Sequence, residues 1–137
     1  MKVAYLLASL LLMSTSPVIA CGHCIEDKVA AVYDHTVVAK AVHEKHIVAF
    51  FGIEGPLVVN TASKQEMQKI MSSINGVDPN TSRISLETGS ISLAFNPTLL
   101  SYPALLTSLD KKLKLKKLSV FPLEVMSQMP KSVIASQ

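Results

Sequence analysis

Both cysteines of the chain lie in one tetrapeptide, Cys21-Gly22-His23-Cys24, together with one of the four histidines. Two thiols separated by two residues can converge on one soft metal ion, or they can cycle between a dithiol and a disulfide. A disulfide between them would close a loop too short to stabilise a fold much through chain entropy. The tetrapeptide is therefore predicted to have a chemical role, with Cys21, Cys24 and His23 as candidate metal ligands.

The expected ion is Cu(I) or another soft ion, because two thiolates suit near-linear or trigonal coordination. Zinc is a second choice, since it would need further ligands to complete a tetrahedron. Two other interpretations stay open. In an oxidising compartment the thiols can form a disulfide without function, and then no ion binds. The tetrapeptide also resembles the active site of protein disulfide isomerases, which predicts a thiol-disulfide redox protein, but the thioredoxin fold needs a strand before the motif.

The motif directly follows a predicted signal peptide, residues 1–20. Lys2 supplies a positive charge, and the apolar run Val3 to Met13 has 11 residues, which is too short for a membrane-spanning helix of about 20. Cleavage after Ala20 would make Cys21 the first residue. The segment ending at Cys21 also resembles a bacterial lipobox, with Val18 where leucine is preferred. We expect an exported protein, periplasmic or secreted, that is a membrane-anchored lipoprotein only if Cys21 is lipidated; lipidation would also remove the two-thiol site.

Size and charge restrict the remaining function classes. Without residues 1–20 the chain has 117 residues and a net charge of +2, because Lys2 leaves with the signal. This is enough for one domain with its own core. The charge is too small, and aromatic residues are too few, to predict a nucleic-acid partner. No serine-histidine-aspartate order, carboxylate pair or phosphate loop points to catalysis, so we expect no enzyme.

Apolar residues from Ile25 to about Val42 recur every three or four positions, which predicts one amphipathic helix. Cys24 would then precede a helix N-terminus, which favours the thiolate form. In a continuous helix His35 would lie about 16 Å beyond Cys24, too far to share an ion with it. His43 and His46 are left as a separate pair near the next strand, or as imidazoles that bind no ion.

The rest of the chain predicts a β-α-β-β-α-β order. The apolar run 46–53 predicts a strand that is buried on both faces. A capping box at Ser63 to Glu66 predicts the start of a helix. Residues 83–87 and 90–96 alternate like a hairpin, Ser101 begins another helix, and 118–125 forms a last strand whose Pro122 requires a sheet edge. The helix before this unit is expected to cover the second face of the sheet.

The segment 46–125 resembles the heavy-metal-associated domain of copper chaperones and metal-pumping ATPases. The resemblance is carried by the stretch 74–77 and by the hairpin sequence ISLETGSISLAFNP. It implies an α/β (α+β) fold, a ferredoxin-like βαββαβ sandwich, and a metal ion with a metal-delivery protein partner. The family's metal-binding cysteines follow the first strand, but here that loop, 54–61, contains no thiol. The C-x-x-C is thus displaced to an N-terminal extension.

The predicted organisation has four segments. They are the signal peptide 1–20, the motif and its helix 21–43, the heavy-metal-associated-type domain 44–126, and a flexible tail 127–137.

Overall fold

The computed structural model describes residues 24–130, and the predicted signal peptide, Cys21 and His23 lie outside this range. Four helices and four strands occur within it. In chain order they are α1 (Ile25–Val32), α2 (His35–His43), β1 (Ile47–Glu54), α3 (Thr61–Ser72), β2 (Arg83–Ser85), β3 (Ser90–Phe95), α4 (Tyr102–Lys114) and β4 (Ser119–Met126). None of the helices between residues 24 and 130 is long and apolar enough to cross a membrane.

The four strands form one antiparallel sheet in the order β2-β3-β1-β4. With α3 and α4 in the two crossovers, this is the ferredoxin-like arrangement, which confirms the predicted fold class. β4 is an edge strand, so Pro122, which has no N–H to donate, is tolerated there. The predicted hairpin is also present, with Gly89 at a φ of 62° in its turn.

Strand β1 is buried on both faces, as predicted. Side chains alternate between the two faces of a strand, so β1 contributes to two separate cores. Ala49, Phe51 and Ile53 pack in the core under α3 and α4. Val48 and Phe50 pack in the core under α1 and α2. The N-terminal helical segment therefore covers the second face of the sheet, as expected.

The predicted single helix from Ile25 to Val42 is wrong, because the chain leaves the helical conformation at Tyr33 and Asp34. Both residues have extended backbone angles, with ψ of 128° and 111°. The Asp34 carboxylate caps α2 by accepting from the backbone N–H groups of Thr36 at 2.9 Å and Val37 at 3.2 Å. Aspartate is among the best N-cap residues, and here the cap prevails over a periodicity that would also permit a continuous helix.

Asp34 also ties the N-terminal helices to the sheet. Its Oδ2 accepts from Arg83 Nε at 2.9 Å and from Nη2 at 2.8 Å, so the cap of α2 is joined to β2. The backbone N–H of Val37 and then the Arg83 guanidinium lower the pKa of the Asp34 carboxyl from its ordinary value of 3.8. The break between α1 and α2 is thus held by a charge-assisted contact across 49 residues of sequence.

Two helix starts test the capping predictions. Helix α4 begins after Ser101 as predicted, and the Ser101 hydroxyl accepts from the backbone N–H of Ala104 at 3.3 Å. Helix α3 begins earlier than its capping box suggested: Asn60 is the N-cap and accepts from the backbone N–H of Ser63 at 2.7 Å.

In the predicted tail, Met129 packs against the core under α1 and α2, and residues 131–137 lie outside the described range.

Candidate functional site

Cys24, the described member of the predicted metal site, is the N-cap of α1. Its side chain is exposed, and its carbonyl oxygen accepts from the backbone N–H of Lys28 at 3.1 Å. Cys24 therefore lies at a helix N-terminus, as predicted. Cys21 and His23 lie outside the described residues, so their convergence with Cys24 stays a prediction.

The first turn of α1 lies at the end of the sheet where β1 ends. Ile25 and Lys28 line an open groove of about 530 Å³ together with Gly55 and Leu57 from the loop after β1 and Gly89 from the β2–β3 turn. This loop is the one that the family resemblance associates with metal-binding cysteines. Although the motif precedes the domain in sequence, α1 brings Cys24 to the same end of the molecule as that loop.

A buried lysine holds α1 in this position. Lys28 is only 8% exposed, and its ammonium group donates to the carbonyl oxygen of Thr88 and, at 3.4 Å, to that of Gly89. A buried ammonium group is costly unless its hydrogen bonds are satisfied, so these acceptors favour one position for α1 on the hairpin turn. Because Lys28 is one turn beyond Cys24, its contacts also position the motif.

The charges around Cys24 act in both directions on a thiolate. The positive end of the α1 dipole and the Lys28 ammonium favour the charged sulfur. Glu26 and Asp27 in the first turn of α1, and Glu54 in the groove, oppose it. A Cys24 thiolate would add to this negative charge, which a bound cation would compensate. The local electrostatics therefore suit a cation more than an anion.

The histidines are arranged differently from the predicted pair. His35 and His43 are exposed on α2. The contacts of the His46 ring are with two carboxylates: its Nδ1 lies 2.7 Å from Asp78 Oδ2 and 3.7 Å from Glu44 Oε2. These three residues are at the end of the sheet opposite Cys24, where β1 begins.

Sequence reasoning missed Asp78 because no local pattern relates it to His46, 32 residues earlier. The sheet supplies the relation. Ile47 pairs with Phe95 in the β1–β3 ladder, and Val77 forms an isolated bridge with Phe95 from the other side. The neighbours of these two residues, His46 and Asp78, are therefore brought into contact across β3.

Neither a protein-family model nor a curated protein sequence matches the chain. Among solved structures, the chain is similar to the N-terminal domain of a potential copper-translocating P-type ATPase from Bacillus subtilis in its Cu(I)-loaded state. The two share 19% identity at a TM-score of 0.46, over 62% of this chain and 96% of that one. Similarity at this level transfers no binding site from that domain to this chain.

Proposed function

We propose that the protein is an exported carrier of a soft metal ion, with Cu(I) as cargo, and that it binds the ion through Cys21 and Cys24 and delivers it to a partner protein. His23 is the third candidate ligand. The observation that carries the proposal is the position of Cys24, exposed at the N-terminus of a helix that buried Lys28 anchors beside the loop after β1. It is a non-enzymatic role.

The donor set fits the cargo. A thiolate is a soft ligand, and soft ligands select Cu(I) over ions that prefer oxygen. The side chain of Cys24 is exposed, so an ion held there is accessible to a partner's thiols. An exposed two-thiol site also permits ligand exchange, which a carrier needs and a closed tetrahedral zinc site does not offer.

Copper titration tests the proposal. The full chain is expressed, and the form that the cells produce is purified, reduced and titrated with Cu(I) against a chromogenic Cu(I) chelator. We expect one equivalent to bind, and we expect both Cys24→Ser and Cys21→Ser to abolish competition with the chelator. His35→Ala is the matched control, because His35 is an exposed donor on the adjacent helix and should not affect uptake.

Two results would contradict the dithiol site. Equal uptake by the wild type and by Cys21→Ser/Cys24→Ser would place the copper elsewhere. Absence of uptake by the reduced wild type would reject the carrier role. In that case a disulfide reduction potential near those of known oxidants, with turnover of a reduced substrate, would instead establish a redox protein.

The state of Cys21 is a separate part of the proposal. Signal cleavage after Ala20 leaves a free thiol, whereas lipidation converts the sulfur to a thioether and leaves one thiol, that of Cys24. We propose the unmodified form, because Val18 departs from the preferred lipobox residue. Intact-mass spectrometry of the exported protein distinguishes the two forms: an added diacylglyceryl group would reject the dithiol site and indicate a lipid-anchored interaction domain.

A further inference from the structure

A second group of metal-ligand side chains lies at the end of the sheet opposite Cys24. It consists of Glu44, His46 and Asp78, whose ligand atoms all lie within 4.8 Å of one another. Both carboxylates approach the same imidazole atom, Nδ1 of His46, at 2.7 Å from Asp78 and 3.7 Å from Glu44. The side chains of His46 and Asp78 are 20% and 18% exposed, and that of Glu44 is 40% exposed. Two carboxylates thus lie close to one imidazole nitrogen at a partly exposed position.

The backbone holds the three residues independently of the contacts between their side chains. Glu44 is the C-cap of α2, and Lys45 turns the chain with a left-handed φ of 59°. The backbone N–H of His46 then donates to Ala41 O at 2.8 Å. On the other side, the backbone N–H of Asp78 donates to Ala94 O at 2.8 Å. The backbone positions of Glu44, His46 and Asp78 are therefore fixed by the end of α2 and by the sheet.

The chemistry of the donors selects a class of ion. One imidazole nitrogen and two carboxylate oxygens suit a borderline divalent ion such as Zn²⁺, whereas Cu(I) prefers sulfur. Across a tetrahedral Zn²⁺ with bonds of about 2.0–2.1 Å, the N···O separation is roughly 3.3 Å. The two observed separations, 2.7 and 3.7 Å, lie on either side of this value. Zinc coordination would therefore need the Asp78 oxygen to move away from Nδ1 by about 0.6 Å and the Glu44 oxygen to move toward it by about 0.4 Å.

Charge also favours a dication here. The site holds two carboxylates, and a divalent ion would balance the charge of both. Lys40 has its ammonium 4.0 Å from Glu44, but its side chain is 67% exposed, so this pair is weak. Glu44 can therefore exchange Lys40 for an ion at small cost.

We propose that Glu44, His46 and Asp78 form a divalent-cation site of the Zn²⁺ type, separate from the dithiol. The ion would join the C-terminus of α2 to the segment after α3, and so fasten the N-terminal helices to the ferredoxin-like unit. Three protein ligands leave a fourth position for water or another small ligand. The proposal does not depend on the copper site.

The test uses a background variant in which Cys21, His23 and Cys24 are replaced, so that zinc cannot bind to the tetrapeptide. Zn²⁺ alone is titrated by calorimetry into Cys21→Ser/His23→Ala/Cys24→Ser, made in the full chain, and the melting temperature is followed with and without Zn²⁺. We expect one equivalent to bind and the melting temperature to rise with Zn²⁺ concentration, because an ion bound only to the folded state stabilises it. Loss of one ligand should weaken binding by about tenfold or more.

Two variants, Glu44→Gln and His46→Ala, each remove one proposed ligand. Glu44 is the most exposed of the three residues, so Glu44→Gln keeps the test valid if His46→Ala does not fold. His43→Ala is the matched control, since it removes an exposed imidazole next to the site. Absence of Zn²⁺ binding in the background variant would overturn the site. Equal affinity of Glu44→Gln and His43→Ala would overturn it as well. Because the background lacks the dithiol, failure of the copper proposal leaves this result unaffected.

Discussion

Replacement of Asp34 should show what holds the break between α1 and α2, and with it the position of Cys24. Its carboxylate makes two kinds of contact: it caps α2 through the backbone N–H groups of Thr36 and Val37, and it pairs with the Arg83 guanidinium. Asp34→Asn keeps a capping oxygen and loses the ion pair. Asp34→Ala loses both, so the two variants separate the contributions.

The magnitude follows from the exposure of the partners. The side chains of Asp34 and Arg83 are 29% and 38% exposed, so their pair belongs nearer to the surface class, and we assign it about 1 kcal/mol. An N-cap contributes about 1 kcal/mol, and asparagine caps as well as aspartate. We therefore expect a loss in free energy of unfolding of about 1 kcal/mol for Asp34→Asn and about 2 kcal/mol for Asp34→Ala.

Urea unfolding at pH 7 measures these losses. With an m-value of about 2 kcal/mol/M, the Asp34→Ala midpoint should fall by about 1 M. Asp110→Asn is the control, because Asp110 forms an exposed i,i+4 pair with Lys114 worth at most about 0.5 kcal/mol. Losses for both Asp34 variants no larger than that of the control would refute the assignment of the helix break to this residue.

The same contacts predict a pH dependence. The pKa of the Asp34 carboxyl is lower in the folded protein than its ordinary value of 3.8. Its contribution is therefore fully present above that value and is lost as the pH falls through the folded pKa. The difference in stability between the wild type and Asp34→Asn should shrink below about pH 4. A difference that persists undiminished at pH 2 would show that it does not arise from the charged carboxylate.

Three further substitutions test other contacts by urea unfolding. Gly52→Ala should lose about 1–3 kcal/mol, because its new Cβ would lie 2.1 Å from the Phe121 ring on the adjacent strand. Lys28→Met should lose about 1–3 kcal/mol, because its removal takes the ammonium donor from the Thr88 carbonyl oxygen, whereas the Gly89 carbonyl oxygen still accepts from the backbone N–H of Ile53 at 2.8 Å. Tyr102→Phe should be neutral or stabilising by up to about 1 kcal/mol: the buried hydroxyl has no hydrogen-bond partner within residues 24–130, and the ring stacked on Phe51 is retained.

Each of these substitutions has its own control. Adding Phe121→Leu to Gly52→Ala should recover part of the loss, and no recovery would contradict the steric explanation. Lys40→Met removes an exposed lysine and should change little, so an equal loss from Lys28→Met would indicate a general charge effect. A clear destabilisation by Tyr102→Phe would show that its hydroxyl makes a favourable contact. Burial raises the pKa of that hydroxyl, in keeping with an environment of low polarity.

Local periodicity was sufficient for most of the fold. A continuous apolar run marked β1, alternation of apolar and polar residues marked the β2–β3 hairpin, and a serine cap marked α4. The two-faced burial of β1 even indicated that another element had to cover the second face of the sheet. These features are readable because each depends on residues within a few positions of one another, whose side chains share one face.

Chain periodicity could not reveal which local signal prevails or which distant residues meet. The spacing from Ile25 to Val42 is compatible with one helix. In the structure, however, Asp34 caps α2 and also pairs with Arg83 on β2, 49 residues away. The position of α1, and so of Cys24, at the end of the molecule where β1 ends depends on Lys28 reaching the hairpin turn 60 residues ahead. His46 and Asp78 meet because Phe95 lies between their neighbouring residues in the sheet. Contacts of this kind are set by strand register and helix docking, which depend on burial across the whole domain, so only the tertiary structure decides them.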